Sequence, residues 1–286
     1  MSNPKALEQE VVAHSRKGPH GVLYLEGKSD VEVFFALLGV ERPTGDLHER
    51  VFVCGLQDDK RGRAPGSGKS AVRARVECAQ KLGLGRVWGV VDGDGAPLEE
   101  TRRAFDAPHP GPLFVWKAYC IENLLAQAPG WPKAWGPRPD WSEVLRVYAP
   151  YVALNGVHLH LQNTLKTLSL DKFSHPHPQH PLLNAQEVLL GLEQDKDLLR
   201  GFDVAARFGA EHSAFLDALD ASLDEAHARL NGKWFLRHFA PTRARDALGA
   251  VHAEERCAEV WREAVRSAGG HPEVRRLWGR LTGRAS

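Results

Sequence analysis

The chain has almost no net charge: 37 lysines and arginines stand against 36 aspartates and glutamates in 286 residues. Without a global field, neither nucleic acid nor anionic lipid is drawn to the molecule as a whole, and any polyanion site must be a local patch. Cysteine is scarce, with four residues, Cys54, Cys78, Cys120 and Cys257, at scattered positions. Lacking paired spacing, they suit reduced thiols better than a disulfide framework or a zinc site. Long apolar runs are missing too. The longest, around Val33 to Val40, is far short of the ~20 residues that span a bilayer. Met1-Ser2-Asn3-Pro4-Lys5 leads into charged sequence with no apolar signal core, so a cytoplasmic protein with no membrane contact is expected. What remains is an ordinary soluble composition, 43% hydrophobic and 26% charged, in a length that suits two domains or one large one.

Residues 4 to 17 have the spacing of a short amphipathic helix, after which strands alternate with helices to about residue 127. Strands are expected at Val22 to Leu25, Val51 to Cys54, Arg86 to Val91 and Leu113 to Trp116. The helix after the first carries Val31, Phe34, Phe35, Leu37 and Leu38 toward a sheet. Further helices are expected from about Lys69 to Leu82 and from Ile121 to Gln127. Alternation of this kind predicts an α/β fold with a mainly parallel, Rossmann-like sheet flanked by helices. The segment 128–141 holds Pro129, Pro132, Pro137, Pro139, Trp131, Trp135 and Trp141, and reads as a linker between a domain at 1–127 (core about 20–127) and one at 142–286. Helical spacing over 142–169, 184–199, 211–230 and 253–268 makes the second domain mostly α.

Two strands end in acid and glycine. Val90-Val91-Asp92-Gly93-Asp94-Gly95 is one, and Leu23-Tyr24-Leu25-Glu26-Gly27-Lys28-Ser29-Asp30 is the other. In a parallel sheet the carboxyl ends of strands converge on a crevice, so Glu26, Asp92 and Asp94 can share it. Asp30, in the first turn of the following helix, can point back to the same place. Carboxylates gathered at that density repel one another unless a hard, oxygen-seeking divalent cation neutralises them, and Mg²⁺ or Mn²⁺ is the natural occupant.

These two segments resemble the TOPRIM domain of topoisomerases, primases and overcoming-lysogenization-defect (OLD) nucleases. The block Lys117-Ala118-Tyr119-Cys120-Ile121-Glu122-Asn123-Leu124-Leu125 resembles the Ile-Glu-Asn block of OLD-like proteins and of a TOPRIM-like bacterial family that includes the effector subunit of the PARIS anti-phage system. The resemblance covers roughly residues 20 to 127. It implies a TOPRIM sheet and a metal-dependent nuclease using two ions, with Glu26 as metal ligand or general acid/base, Asp92 and Asp94 as ligands, and Asp30 and Glu122 serving a second metal. Asn231-Gly232-Lys233-Trp234 is similar to a later Gly-Lys block, which implies a catalytic Lys233 assisting phosphate chemistry; a solvated lysine after an Asn-Gly turn is the plain alternative. Ala96 stands where topoisomerase-type sequences often carry a third aspartate, which favours the nuclease branch. The expected substrate is DNA or RNA, an ATPase partner subunit and a homodimer are both allowed, and the implied role is the toxic effector of an anti-phage system.

Other readings compete. A TOPRIM scaffold without catalysis, binding an ATPase or nucleic acid, would keep the acids for structure. Asp92-Gly93-Asp94-Gly95 also resembles the first motif of haloacid-dehalogenase phosphatases, although that motif normally opens its fold, and Ala96 replaces the usual hydroxyl residue. Gly62-Arg63-Ala64-Pro65-Gly66-Ser67-Gly68-Lys69-Ser70 imitates a P-loop, but Arg63 stands where glycine is needed and the loop lies far from its strand. Lys60, Arg61, Arg63 and Lys69 sit around a helix start that can receive a nucleic-acid phosphate, with a solvated loop as the equal alternative. His175, His177 and His180 sit among prolines in what reads as an irregular loop, and Arg276, Arg280 and Arg284 fall on one helical face expected to be solvated.

Overall fold

The computed structural model describes residues 4–56, 68–96, 98–106, 112–127, 130, 138, 140–167, 203–232 and 267–283. Through them the chain runs α1 (Pro4–Lys17), β1 (Gly21–Leu25), α2 (Lys28–Leu38), a 3-10 turn (Thr44–Asp46), β2 (Leu47–His48), β3 (Val51–Gly55), α3 (Lys69–Lys81) and β4 (Val87–Val91). It continues with α4 (Leu98–Asp106), β5 (Leu113–Val115), α5 (Ile121–Gln127), α6 (Trp141–Thr167), α7 (Val204–Ala221), α8 (Leu223–Arg229) and α9 (Pro272–Thr282). The five strands form one sheet in the order β2-β3-β1-β4-β5. Every pairing is parallel except the short β2, which returns antiparallel along β3. The protein is therefore α/β, with a mixed, mostly parallel sheet flanked by helices.

All five residues of β1 are buried, as a central strand covered on both faces requires. Its side chains alternate between two cores. Leu23 and Leu25 face one with Val51, Val53, Val90 and Phe114; Val22 and Tyr24 face the other with Phe52, Val87, Val91 and Leu113. The second core is roofed by α1 and α3 through Val11, Ala71, Val72 and Ala79. The first is roofed by α2 through Phe34, Phe35 and Leu37 and by α5 through Ile121 and Leu124. It continues without a break past position 141 into Leu145, Phe215, Leu277 and Trp278.

The observed strands match the expected positions to within a residue or so. The unexpected piece is β2, two residues long and too short to carry a period. The second half contributes only helices among the described residues. The helical stretch expected at 211–230 is two helices, parted at Ser222, whose side chain accepts from Glu225 N and caps the second. On the arginine face of α9, Arg280 is exposed and Arg276 half-buried. Both also lie against Phe105, at 5.5 and 5.8 Å from its ring centre for Arg276 and Arg280, and Arg280 Nη1 donates to Phe105 O at 2.8 Å, while Arg284 lies outside the described residues. The expected helices at 184–199 and 253–268 and the histidines 175, 177 and 180 lie outside the described residues, apart from the end of the latter helix.

Candidate functional site

The strand order creates the site. From β1 the chain crosses to β3 on one side, then returns past β1 to lay β4 on the other. Neighbouring strands whose connections leave in opposite directions open a crevice at their carboxyl ends, where α/β sheets bind ligands. Glu26 follows β1 and Asp92 follows β4, so each stands on one lip of that crevice. They touch: Asp92 N donates to Glu26 Oε1 at 2.6 Å. Asp92 is buried, and its Oδ1 accepts from Ile121 N at 3.3 Å. That bond brings the first turn of α5, with the buried Glu122, up to the strand end.

Asp94 is held differently. It has φ +49°, and its N–H donates to Tyr119 O at 2.9 Å, whose own N–H donates to His227 O at 3.0 Å. Its carboxylate is about half exposed and pairs with Lys69 Nζ at 2.8 Å. Lys69 opens α3, and the preceding Gly68 N donates to Glu26 O at 3.0 Å, so the start of α3 is tied to both acids. Asp30 caps its own helix: Oδ2 accepts from Gly27 N at 2.9 Å and Oδ1 from Ser29 Oγ at 3.2 Å. The structure thus brings together Glu26, Asp92, Asp94, Lys69 and the helix start that carries Glu122, with Asp30 fastening the turn behind Glu26.

The donors are all carboxylate oxygens at a crevice, which matches a hard divalent cation in kind. Among the described residues, however, no group of three or more His, Cys, Asp or Glu side chains is gathered to hold a metal ion. The positive charge at Asp94 comes from the Lys69 ammonium. Lys60, Arg61, Arg63 and Lys233 lie outside the described residues. Gly232, next to Lys233, is described: a Cβ there would stand 2.4 Å from Asn123 Oδ1. Asn123 in turn donates through Nδ2 to Leu230 O at 2.9 Å and accepts from Cys120 N at 3.1 Å. The Asn-Gly turn and the Ile-Glu-Asn segment are therefore packed against each other, with α5 between that turn and Asp92.

Sequence reasoning missed a cavity of about 480 Å³ beside Asp94. Asp94 and Tyr119 line it on the sheet side, and Asn155, Arg207, Glu211 and Arg229 line it from α6, α7 and α8. Burial, and next the charge of Asp94, push the Tyr119 phenol up to about 12, so it stays a neutral hydrogen-bonding group at ordinary pH. Arg207 and Arg229 carried no signal in the sequence, because each is one polar position on a helix more than 100 residues from the acids.

No family model matches the chain, and no curated protein or solved structure is found to be similar to it.

Proposed function

We propose that the protein is a TOPRIM-like, metal-dependent nuclease that hydrolyses phosphodiester bonds of DNA or RNA. The observation that carries this reading is the pairing of Glu26 and Asp92 across the switch point of a parallel sheet, linked at 2.6 Å. The resemblance of the Glu26, Asp92 and Ile121-Glu122-Asn123 segments to TOPRIM and OLD-like proteins supports it, as does the packing of Gly232 on Asn123. Glu26, Asp92 and Asp94 would hold Mg²⁺ or Mn²⁺, with Glu122 and Asp30 near a second ion. A bound divalent cation supplies charge stabilisation at the phosphate and lowers the pKa of water.

The chain's own residues do the rest. The 2.6 Å bond from Asp92 N orients the Glu26 carboxylate, so that its other oxygen is directed by a fixed partner. Asp92 is positioned by Ile121 N and shielded from water. Lys69, one helix start from Glu26, can exchange Asp94 for a phosphate oxygen, because an ion pair this exposed holds with no more than about 1 kcal/mol. A partner ATPase, a homodimer and a toxic role in phage defence belong to the same proposal and rest on resemblance.

The test is incubation of the purified protein with plasmid, single-stranded DNA and tRNA, each with Mg²⁺ or Mn²⁺, beside Glu26→Gln. Glutamine keeps an oxygen to accept from Asp92 N, so the variant removes charge and spares the bond. Wild type should cut at least one substrate, and the variant should lose on the order of a hundredfold or more, the range typical for charge stabilisation in a transition state. Equal cleavage by both sinks the assignment.

The Lys69–Asp94 pair favours a second reading, a scaffold in which an ammonium stands in for the metal. Thermal unfolding separates the two. A working site gains stability with Mn²⁺ and loses that gain in Asp92→Asn, whereas a scaffold is indifferent to the ion. The phosphatase alternative is disfavoured by the place of the motif, since its aspartate normally opens the fold and here the units β1–α2 and β3–α3 precede β4.

A further inference from the structure

The cavity beside Asp94 is open to a ligand of definite charge. Arg207 rises from the first turn of α7, and its Nη2 pairs with Glu211 Oε1 one turn on. Its Nε is buried and, among the described residues, meets no hydrogen-bond acceptor. The side chain as a whole is 40% exposed, so the part of the guanidinium that an arriving ligand oxygen can reach is its accessible N–H groups beside the Glu211 pair. Arg229, at the end of α8, is exposed at the same cavity, and no carboxylate among the described residues pairs with it.

The two acids of the cavity do not cancel these donors. Glu211 is taken by Arg207 and Asp94 by Lys69. What remains is one whole positive charge, at Arg229, beside the exposed part of the Arg207 guanidinium. Guanidinium groups match the tetrahedral oxygens of a phosphate through fork-shaped pairs of N–H bonds. A volume of about 480 Å³ suits an occupant of nucleotide size. The floor is rigid, because Tyr119 hydrogen-bonds Asn155 and its backbone ties Asp94 to His227.

We propose that this cavity is a phosphate subsite for a nucleic-acid strand, in which Arg207 and Arg229 grip one backbone phosphate and so present a neighbouring phosphodiester to the Glu26, Asp92 and Asp94 end of the sheet. The subsite rests on the nuclease reading for its substrate but not for its chemistry of binding. Gly156 supports the placement. A Cβ there would stand 2.8 Å from Glu211, so the glycine on α6 is what lets the Glu211–Arg207 pair lie down against the helix.

The test is binding without catalysis. Full-length protein in EDTA is titrated into a fluorescein-labelled single-stranded oligonucleotide, and anisotropy is read at several salt concentrations. Arg229→Ala should weaken binding about tenfold, the loss expected for a hydrogen-bonded charge contact. It should also lower the slope of log K against log salt by about 0.7, the value for one single-strand phosphate contact. Arg229→Lys should recover part of the affinity and most of the slope. Because Arg229 is exposed, a thermal midpoint near wild type is expected and shows that the fold is kept.

Equal affinity and equal salt slope in wild type and Arg229→Ala overturn the subsite, as does a wild type that binds no oligonucleotide. Either result leaves the nuclease reading standing if wild type cuts and Glu26→Gln does not. Cleavage indifferent to Glu26, with binding that still depends on Arg229, overturns the nuclease reading and keeps a phosphate site.

Discussion

Gly93 lies between the two acids, yet the neighbouring backbone is what demands a glycine there. A Cβ on it would stand 2.5 Å from Ala118 O and 3.1 Å from Trp116 O, and main-chain atoms this well anchored have little room to yield. Gly93→Ala is expected to lower stability by about 2–3 kcal/mol, the upper part of the range for overpacking, as read from urea denaturation. Gly85→Ala is the control. Nothing lies within 4 Å of a Cβ at Gly85, so that change should be neutral or raise stability by up to about 1 kcal/mol. A midpoint for Gly93→Ala no lower than that of the control would show that the 116–118 segment moves freely. The contact with Ala118 could not be seen in the sequence, because 25 residues separate the two. Asp30 is a similar case. Its position in the first turn was legible from spacing, but spacing alone does not say whether such a carboxylate faces the crevice or caps Gly27.

At the scale of elements, α1 and α3 cover one face of the sheet and are bolted together by Arg75 and Glu10. Arg75 Nε and Nη2 donate to the two oxygens of Glu10 at 3.0 and 3.1 Å, and Arg75 Nη1 donates to Ala71 O at 3.1 Å. The arginine side chain is 4% exposed and the carboxylate 27%. Removing the buried partner strands the other charge, so Arg75→Ala should cost about 3 kcal/mol. Hydrogen exchange gives the sharper signature, since α1 amides should lose protection before those of β1. Uniform loss across the molecule would mean that α1 is held by its apolar face, Val11 included, and not by the ion pair. Both helices were visible in the sequence from their apolar period. Their partnership was not, because one polar residue on each carries it and the two are 65 positions apart.

For the molecule as a whole, pH should act through the helices behind α5. His227 and His271 are buried, and burial pushes each imidazole down to about 4, with Asp224 opposing it in both cases. In the unfolded chain they titrate near 6.5. As pH falls through this window the unfolded chain takes up protons first, so stability present above pH 6.5 is lost toward pH 4. The loss is on the order of 3 kcal/mol for each histidine. Glu273 works in the other direction: burial raises its carboxyl, so the folded state binds that proton first and offsets part of the loss at the acid end. The urea midpoint is expected to fall between pH 7 and pH 5, and His227→Gln should flatten the fall by about half. A midpoint that is level over this range would contradict neutral, buried histidines.

What the sequence determined alone is local: an apolar strand running into Glu26, another running to Asp92, and the helices between them. Period, turn chemistry and apolar runs depend on neighbours a few positions away, so they can be read along the chain. That Glu26 and Asp92 meet at all was decided by the order β2-β3-β1-β4-β5, which sets β4 beside β1 and turns two separate strand ends into the lips of one crevice. Strand order follows from how both faces of the sheet are buried at once, which no local window contains. The same holds for the cavity that joins Asp94 to Arg207 and Arg229. It is lined by residues of α6, α7 and α8 together with Asp94 and Tyr119, residues whose neighbours in space are remote in the chain.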